Sequence, residues 1–307
     1  MLKMNHVMLC VLIAAAAMSP AFAVPMKTIV GGVEATPGQF PYFANNGCCG
    51  GALITPDVVL TAAQCDNPFC RENDFYIGAY EQFSENQGAQ VRQCATWITD
   101  PKFNDITFEY DFALCKLSSP VTIDESLVVL ELNELDSFPS VGTNTIAMGM
   151  GGTLANDGDY NFPQEFSDIL KNVTLPTVSQ SSCNEYYKDY NAEIFDNMIC
   201  AMFAAGGKDS CTGDSGGPLV VRSYQGDGTF KDIHVGVVSF GIGCAMPNVP
   251  AAYARTSSNM DWIKTTACTT LGSTGGICGD STPSTPTAAP TFNPTKSPAV
   301  SPTKSPA

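Results

Sequence analysis

Histidine is almost absent from this chain: its 307 residues contain two, His6 and His234. So few imidazoles, and thirteen cysteines without a single Cys-x-x-Cys pair, argue against a structural metal site. Basic residues are scarce too, with 15 Lys+Arg against 30 Asp+Glu and a formal charge of −15. A phosphate backbone or an anionic bilayer would repel such a chain, which argues against nucleic-acid or membrane-surface binding. No apolar run reaches the ~20 residues needed to span a bilayer, and no glycine loop of the phosphate-binding kind occurs. What remains is 44% hydrophobic residues and only 15% charged ones, enough to bury a sizeable core in one large or two modest domains.

The two ends differ from the middle. Lys3, the apolar run at residues 7–18 and the Ala21-Phe22-Ala23 pattern predict a secretory signal over residues 1–23, followed by a short propeptide at 24–28. Its removal takes His6 and Cys10 with it. Thirteen cysteines less one leaves twelve, an even number suited to a disulfide framework in an oxidising compartment. At the other end, residues 271–307 read as a linker and tail. Residues 281–307 hold seven prolines, eleven Ser/Thr and no acidic residue, with Pro-Thr-Lys-Ser-Pro-Ala occurring twice. Such a composition cannot offset ordering entropy by burial and predicts an extended stalk. One N-glycosylation acceptor is present, Asn172-Val173-Thr174.

Between the ends, short β-rich runs broken by Gly, Pro and Asn predict an all-β barrel class. They lie at residues 51–54, 57–60, 75–77, 112–117, 145–148, 173–178, 218–223 and 233–240, with helices expected only at 181–190 and 258–266. Six segments stand in order along these runs. The first three are Ile29-Val30-Gly31-Gly32, Cys49-Gly50-Gly51 and Leu60-Thr61-Ala62-Ala63-Gln64-Cys65. Asp111-Phe112-Ala113-Leu114 follows, then the long run Lys208-Asp209-Ser210-Cys211-Thr212-Gly213-Asp214-Ser215-Gly216-Gly217-Pro218, and last Ser239-Phe240-Gly241-Ile242-Gly243-Cys244.

Taken together, the six segments resemble the chymotrypsin/trypsin-like serine peptidases over residues 29–270. The resemblance implies two six-stranded antiparallel β-barrels packed face to face, an active site between them and a C-terminal helix. It implies Ser215 as nucleophile, Asp111 as orienting carboxylate, and the Gly213 and Ser215 N–H groups as oxyanion donors. Ile29 and Asp214 match the activation pair. Asp209, Ser239, Gly241 and Ala251 match the specificity pocket, Asp209 suiting Arg or Lys and the Ala251 methyl narrowing the space. Disulfides Cys49–Cys65, Cys183–Cys200 and Cys211–Cys244 are implied. Cys48, Cys70, Cys94, Cys115, Cys268 and Cys278 admit fifteen pairings, Cys268–Cys278 being readable as a local clip. Met150 and Phe240 stand where the family often has tryptophan. Ala79 stands where a calcium-binding carboxylate would be, so no metal or cofactor is expected.

The motif breaks at one position. Gln64 stands where the family has the triad histidine, and a carboxamide has no proton-accepting state near neutral pH. His234 falls in the strand leading to Ser239 and reads as structural. The Gln64 amide is expected to donate to Asp111 while its carbonyl accepts from the Ser215 hydroxyl. Residues Lys27-Thr28 before Ile29 also place a trypsin-type cut one residue early. The leading reading is a secreted, catalytically impaired homologue that acts by binding protein, as inhibitor, decoy or adaptor. The alternatives are an active endopeptidase cleaving after Arg or Lys, and a wall or matrix component displayed on the tail.

Overall fold

The computed structural model describes residues 29–157, 165–190 and 192–279. The predicted signal, the propeptide and the Pro/Ser/Thr tail lie outside these described residues. Among them no helix is long and apolar enough to cross a membrane.

Fifteen strands and three short α-helices make up the described chain. In the first half they are β1 (Val33–Glu34), β2 (Phe43–Asn45), β3 (Gly50–Thr55), β4 (Val58–Thr61), β5 (Phe75–Ile77), β6 (Gln90–Arg92), β7 (Cys94–Thr99) and β8 (Ala113–Leu117). The second half holds β9 (Glu131–Leu132), β10 (Asn144–Gly149), β11 (Lys171–Val178), β12 (Met198–Ala201), β13 (Pro218–Tyr224), β14 (Phe230–Phe240) and β15 (Ala251–Arg255). The helices are α1 (Pro68–Arg71), α2 (Gln180–Tyr187) and α3 (Met260–Lys264).

The second-half strands form a closed barrel in the order β11-β10-β13-β14-β15-β12, with β12 pairing back onto β11. β1 lies along β11, and β9 pairs in parallel with β14. The first-half sheet runs β6-β5-β2-β3-β4-β8-β7, with no ladder joining its two edges. The expected second closed barrel is therefore a curled sheet. Its edge strands β6 and β7 are consecutive pieces of one chain either side of Gln93, so a bend in the chain takes the place of a closing ladder.

Local chemistry accounts for the elements. β3 and β4 are buried along their whole length, and the middle of β14 likewise, so they read as continuous apolar runs instead of alternating ones. The long β13–β14 hairpin turns through Gly226-Asp227-Gly228, where Gly228 takes φ +87° and Gln225 N–H donates to Thr229 O at 2.8 Å. α2 begins at Ser179, whose hydroxyl accepts from the Ser182 N–H at 3.1 Å. Both expected helices occur. The second is a helical stretch in which α3 is preceded by a 3₁₀ turn and followed by a π-helical one.

Leu53, Val59, Phe75 and Leu117 fill the first sheet, and Ile29, Val173, Leu219 and Tyr253 fill the barrel. A third cluster joins Leu60 and Phe112 to Val237, Ala254 and Ile263, so α3 packs across the junction of the two halves. Six disulfides brace the shell. Cys49–Cys65, Cys183–Cys200, Cys211–Cys244 and Cys268–Cys278 join as expected, and the remaining four pair as Cys48–Cys70 and Cys94–Cys115.

The glycosylation acceptor lies in a strand. Asn172 is the second residue of β11, paired with Val33 of β1 and Met148 of β10, only 7% exposed, and its amide donates to Val33 O at 3.4 Å. The acceptor nitrogen thus has little access to solvent, which argues against a glycan there.

Candidate active site

Each candidate residue sits where a strand ends. β4 runs into the tight turn Ala63–Cys65, which the Cys49–Cys65 disulfide ties to the start of β3, and this turn presents Gln64. Asp111 lies just before β8, fully buried, after two residues with left-handed backbone, Phe108 (φ +58°) and Tyr110 (φ +54°). Ser215 lies in the turn before β13. Gly213 at φ +91° and Gly216 at φ +80° give that turn its shape. A Cβ on Gly216 would lie 2.2 Å from Thr61 Oγ1 and 2.5 Å from Gly50 O. The turn is pinned to the other half by Gly50 N–H donating to Ser215 O at 2.8 Å.

Gln64 is held at three points. Its backbone N–H donates to Asp111 Oδ1 at 3.0 Å. Its side-chain Nε2 donates both protons, to Asp111 Oδ2 and to Ser239 O, each at 2.7 Å. The Ser239 hydroxyl donates to the same Asp111 Oδ2 at 2.5 Å. Burial raises the Asp111 pKa, while the Ser239 and Gln64 donors oppose the rise. The expected partner of the Gln64 carbonyl is not realised: among the described residues no hydrogen bond joins Gln64 to the Ser215 hydroxyl.

Next to Ser215 the Gly213 and Ser215 N–H groups donate to no acceptor among the described residues. Two donors with no other acceptor, beside a hydroxyl, are the groups an oxyanion would use. Asp214, fully buried, accepts from the Gly151 and Cys211 N–H groups, both at 2.8 Å. Burial raises its pKa to about 7, and it has no ion pair with any described cation. Ile29 is also fully buried, packed with Val173, Val238 and Tyr253, and its nitrogen is a peptide amide in the uncut chain.

A cavity of about 400 Å³ opens from Ser215 and Gln64 down to Asp209. Asp209 is 4% exposed, takes one bond from Ala245 N–H at 3.0 Å, and leaves its other oxygen without a partner. Burial lifts its pKa to about 7, and the nearby Asp214 charge adds to the rise. Such an orphaned carboxylate oxygen at the end of a slot suits a cationic side chain. Ser239, Gly241 and Ala251 line the same cavity, and a Cβ on Gly241 would stand 4.0 Å from the Ala251 Cα.

Two aromatic side chains at the site, Phe108 and Phe166, were not singled out from sequence. Phe108 stacks on Phe240 at the rim with ring centroids 5.3 Å apart. The Phe166 ring packs over the oxyanion turn, its Cε1 3.0 Å from where a Cβ on Gly213 would be. Only their positions in loops rich in turn residues hinted at them. His234, by contrast, is fully buried in β14 against Thr256 Oγ1 at 2.7 Å. Five residues of strand, about 17 Å at ~3.3 Å per residue, separate it from Ser239. Burial lowers its pKa to about 3.

Two barrel-type halves meeting over a serine turn, a buried aspartate and an acidic slot define a serine peptidase fold. The family profile described as Trypsin matches residues 29–263, and the chain belongs to that family. It is 36% identical over 242 residues to Trypsin 5G1 of Aedes aegypti, covering 77% of this chain and 84% of the relative. It is 35% identical to Trypsin II-P29 of Gallus gallus, covering 78% and 88%, and 33% identical to a trypsin of Xenopus laevis, covering 86% and 98%.

Proposed function

We propose that this trypsin-family protein is secreted and binds a protein partner in its cleft without turning it over. The observation that carries the reading is Gln64. Both of its amide protons are spent on Asp111 and Ser239 O, so no proton-accepting nitrogen faces Ser215. Loss of the triad base costs on the order of 10⁶ in turnover, and oxyanion donors and binding alone leave roughly 10³–10⁴ over water. That residue of activity supports occupancy of the cleft and not hydrolysis. Inhibitor, decoy and adaptor are the roles such occupancy serves.

The Asp209 slot and the unspent Gly213 and Ser215 donors favour a second reading, an active endopeptidase cleaving after Arg or Lys. Its missing base would have to come from the substrate, and Gln64 already fills the space beside Asp111. The deciding experiment treats the protein, cut to begin at Ile29, with Arg and Lys peptide substrates and with an organophosphonate. The binding reading expects no turnover and no labelling of Ser215, since labelling needs an activated hydroxyl. Stoichiometric labelling at a rate normal for an active serine peptidase would establish the endopeptidase instead.

A further inference from the structure

A second cavity, about 570 Å³, lies away from the Ser215 cleft. Its floor is apolar, with Leu130, Met260 and the Tyr42 ring buried beneath the half-buried Ile277. Phe230, 47% exposed, stands at the side with the Arg222 guanidinium stacked 3.8 Å over its ring. Lys231 pairs with Glu131 and Lys264 with Glu134 around it, so the nearby charges are already neutralised and the floor is left to recognise an apolar group.

The cavity lies where the described chain ends. Gly276, Ile277 and Gly279 form part of its wall. The Cys268–Cys278 disulfide anchors this stretch, and Gly276 packs so closely on β3 that a Cβ there would lie 2.2 Å from Ile54 O. Gly279, where the described chain ends, therefore lies in the cavity wall in a set position. Residues 280–307 contain one aromatic side chain, Phe292, placed between Pro290 and Pro294. Proline on both sides limits the conformations an extended segment loses on docking, and aromatic-lined grooves accept such segments. Phe292 is thirteen residues from Gly279, a reach of about 20 Å as a flexible coil and about 40 Å as a fully extended polyproline-type segment. Either reach is enough for the segment to return to a cavity that begins beside Gly279, so docking is an event within one chain.

We propose that Phe292, with its flanking prolines, docks in this cavity of its own chain and holds the Pro/Ser/Thr segment against the junction of the two halves. The test places the photo-crosslinker benzoylphenylalanine at position 292 or, as control, at Val300 in the full secreted chain. Docking expects crosslinks from position 292, within one molecule, to peptides containing Leu130, Met260 or Ile277, several-fold above those from position 300. Equal yields from both positions, or crosslinks that join two chains, would overturn the proposal, the latter assigning the cavity to a second copy. In the otherwise unmodified chain, Phe292→Ala should move the Met260 methyl resonance by loss of a ring current. A methyl signal unmoved by that substitution would also overturn it.

Discussion

Replacing Gln64 with histidine asks how many defects silence this site. The frame a histidine needs is present: the backbone N–H of residue 64 already donates to Asp111 Oδ1, and Asp111 Oδ2 already accepts a side-chain N–H at 2.7 Å. An imidazole donating there turns its second nitrogen towards Ser215, restoring a base whose loss costs on the order of 10⁶. A second defect opposes recovery. In the uncut chain Asp214 is buried with two N–H donors but no ammonium, and the family's activation step supplies one from a free residue 29. Each oxyanion donor left poorly held costs roughly 10²–10³. Gln64→His with the leader attached, or trimmed only to Thr28, should therefore stay near the wild-type baseline. The same variant made to begin at Ile29, by way of an engineered cleavage site, should hydrolyse small Arg or Lys esters at least about 10³-fold faster than its Gln64 parent. The gain should fall short of the full factor if the Ala251 methyl, which lines the slot, narrows it as expected from sequence. The assay is initial-rate ester hydrolysis with active-site titration. No gain in the Ile29-started variant would falsify the assignment of position 64 as the missing base. Full activity with the leader uncut would show that the activation step is not limiting.

Other outcomes follow from the buried groups. Asp209 has a pKa near 7, so affinity for a small aryl amidine should rise with pH until about 7 and then level off, and Asp209→Ser should abolish the binding; a flat profile by calorimetry would contradict the cation slot. Asp209 and Asp214 both have pKa values raised above those of the unfolded chain. Their contribution to stability is thus complete below about pH 4 and lost as pH rises through about 7, which thermal melts in the absence of cationic ligand should reveal as a falling component. Gly149→Ala would put a Cβ 2.0 Å from Asp214 Oδ1 and should destabilise by ~1–3 kcal/mol, read as a lowered melting temperature. Intact mass of the protein expressed through a secretory pathway should show six disulfides and no N-glycan, and a mass decrease on enzymatic deglycosylation would place Asn172 outside the strand.

The chemistry-bearing residues could be read from sequence because their type and order carry the information. Gly213 and Gly216 adopt backbone angles that side chains resist, Ser215 stands between them, and Gln64 names its own defect through the chemistry of a carboxamide. Each of the eight strand runs overlaps an observed strand, those at 57–60 and 112–117 starting one residue early, for a similar reason, since β-branched and aromatic residues between turn formers suit a half-buried pleat. Short strands such as β1, β2 and β12 carried too few residues to show a period.

What tertiary structure decided was everything that depends on long-range contact. A sequon announces Asn172 as a glycan acceptor, yet burial between β1 and β10 removes it from solvent. Cys48, Cys70, Cys94 and Cys115 acquire partners only when the β2–β3 turn meets α1 and β7 meets β8. The Gln64 amide had two acceptors within reach of its protons, Asp111 and the backbone of Ser239, and the second comes from a residue 175 positions away. Residue chemistry is local, but which donor meets which acceptor is settled only when the two halves close on each other.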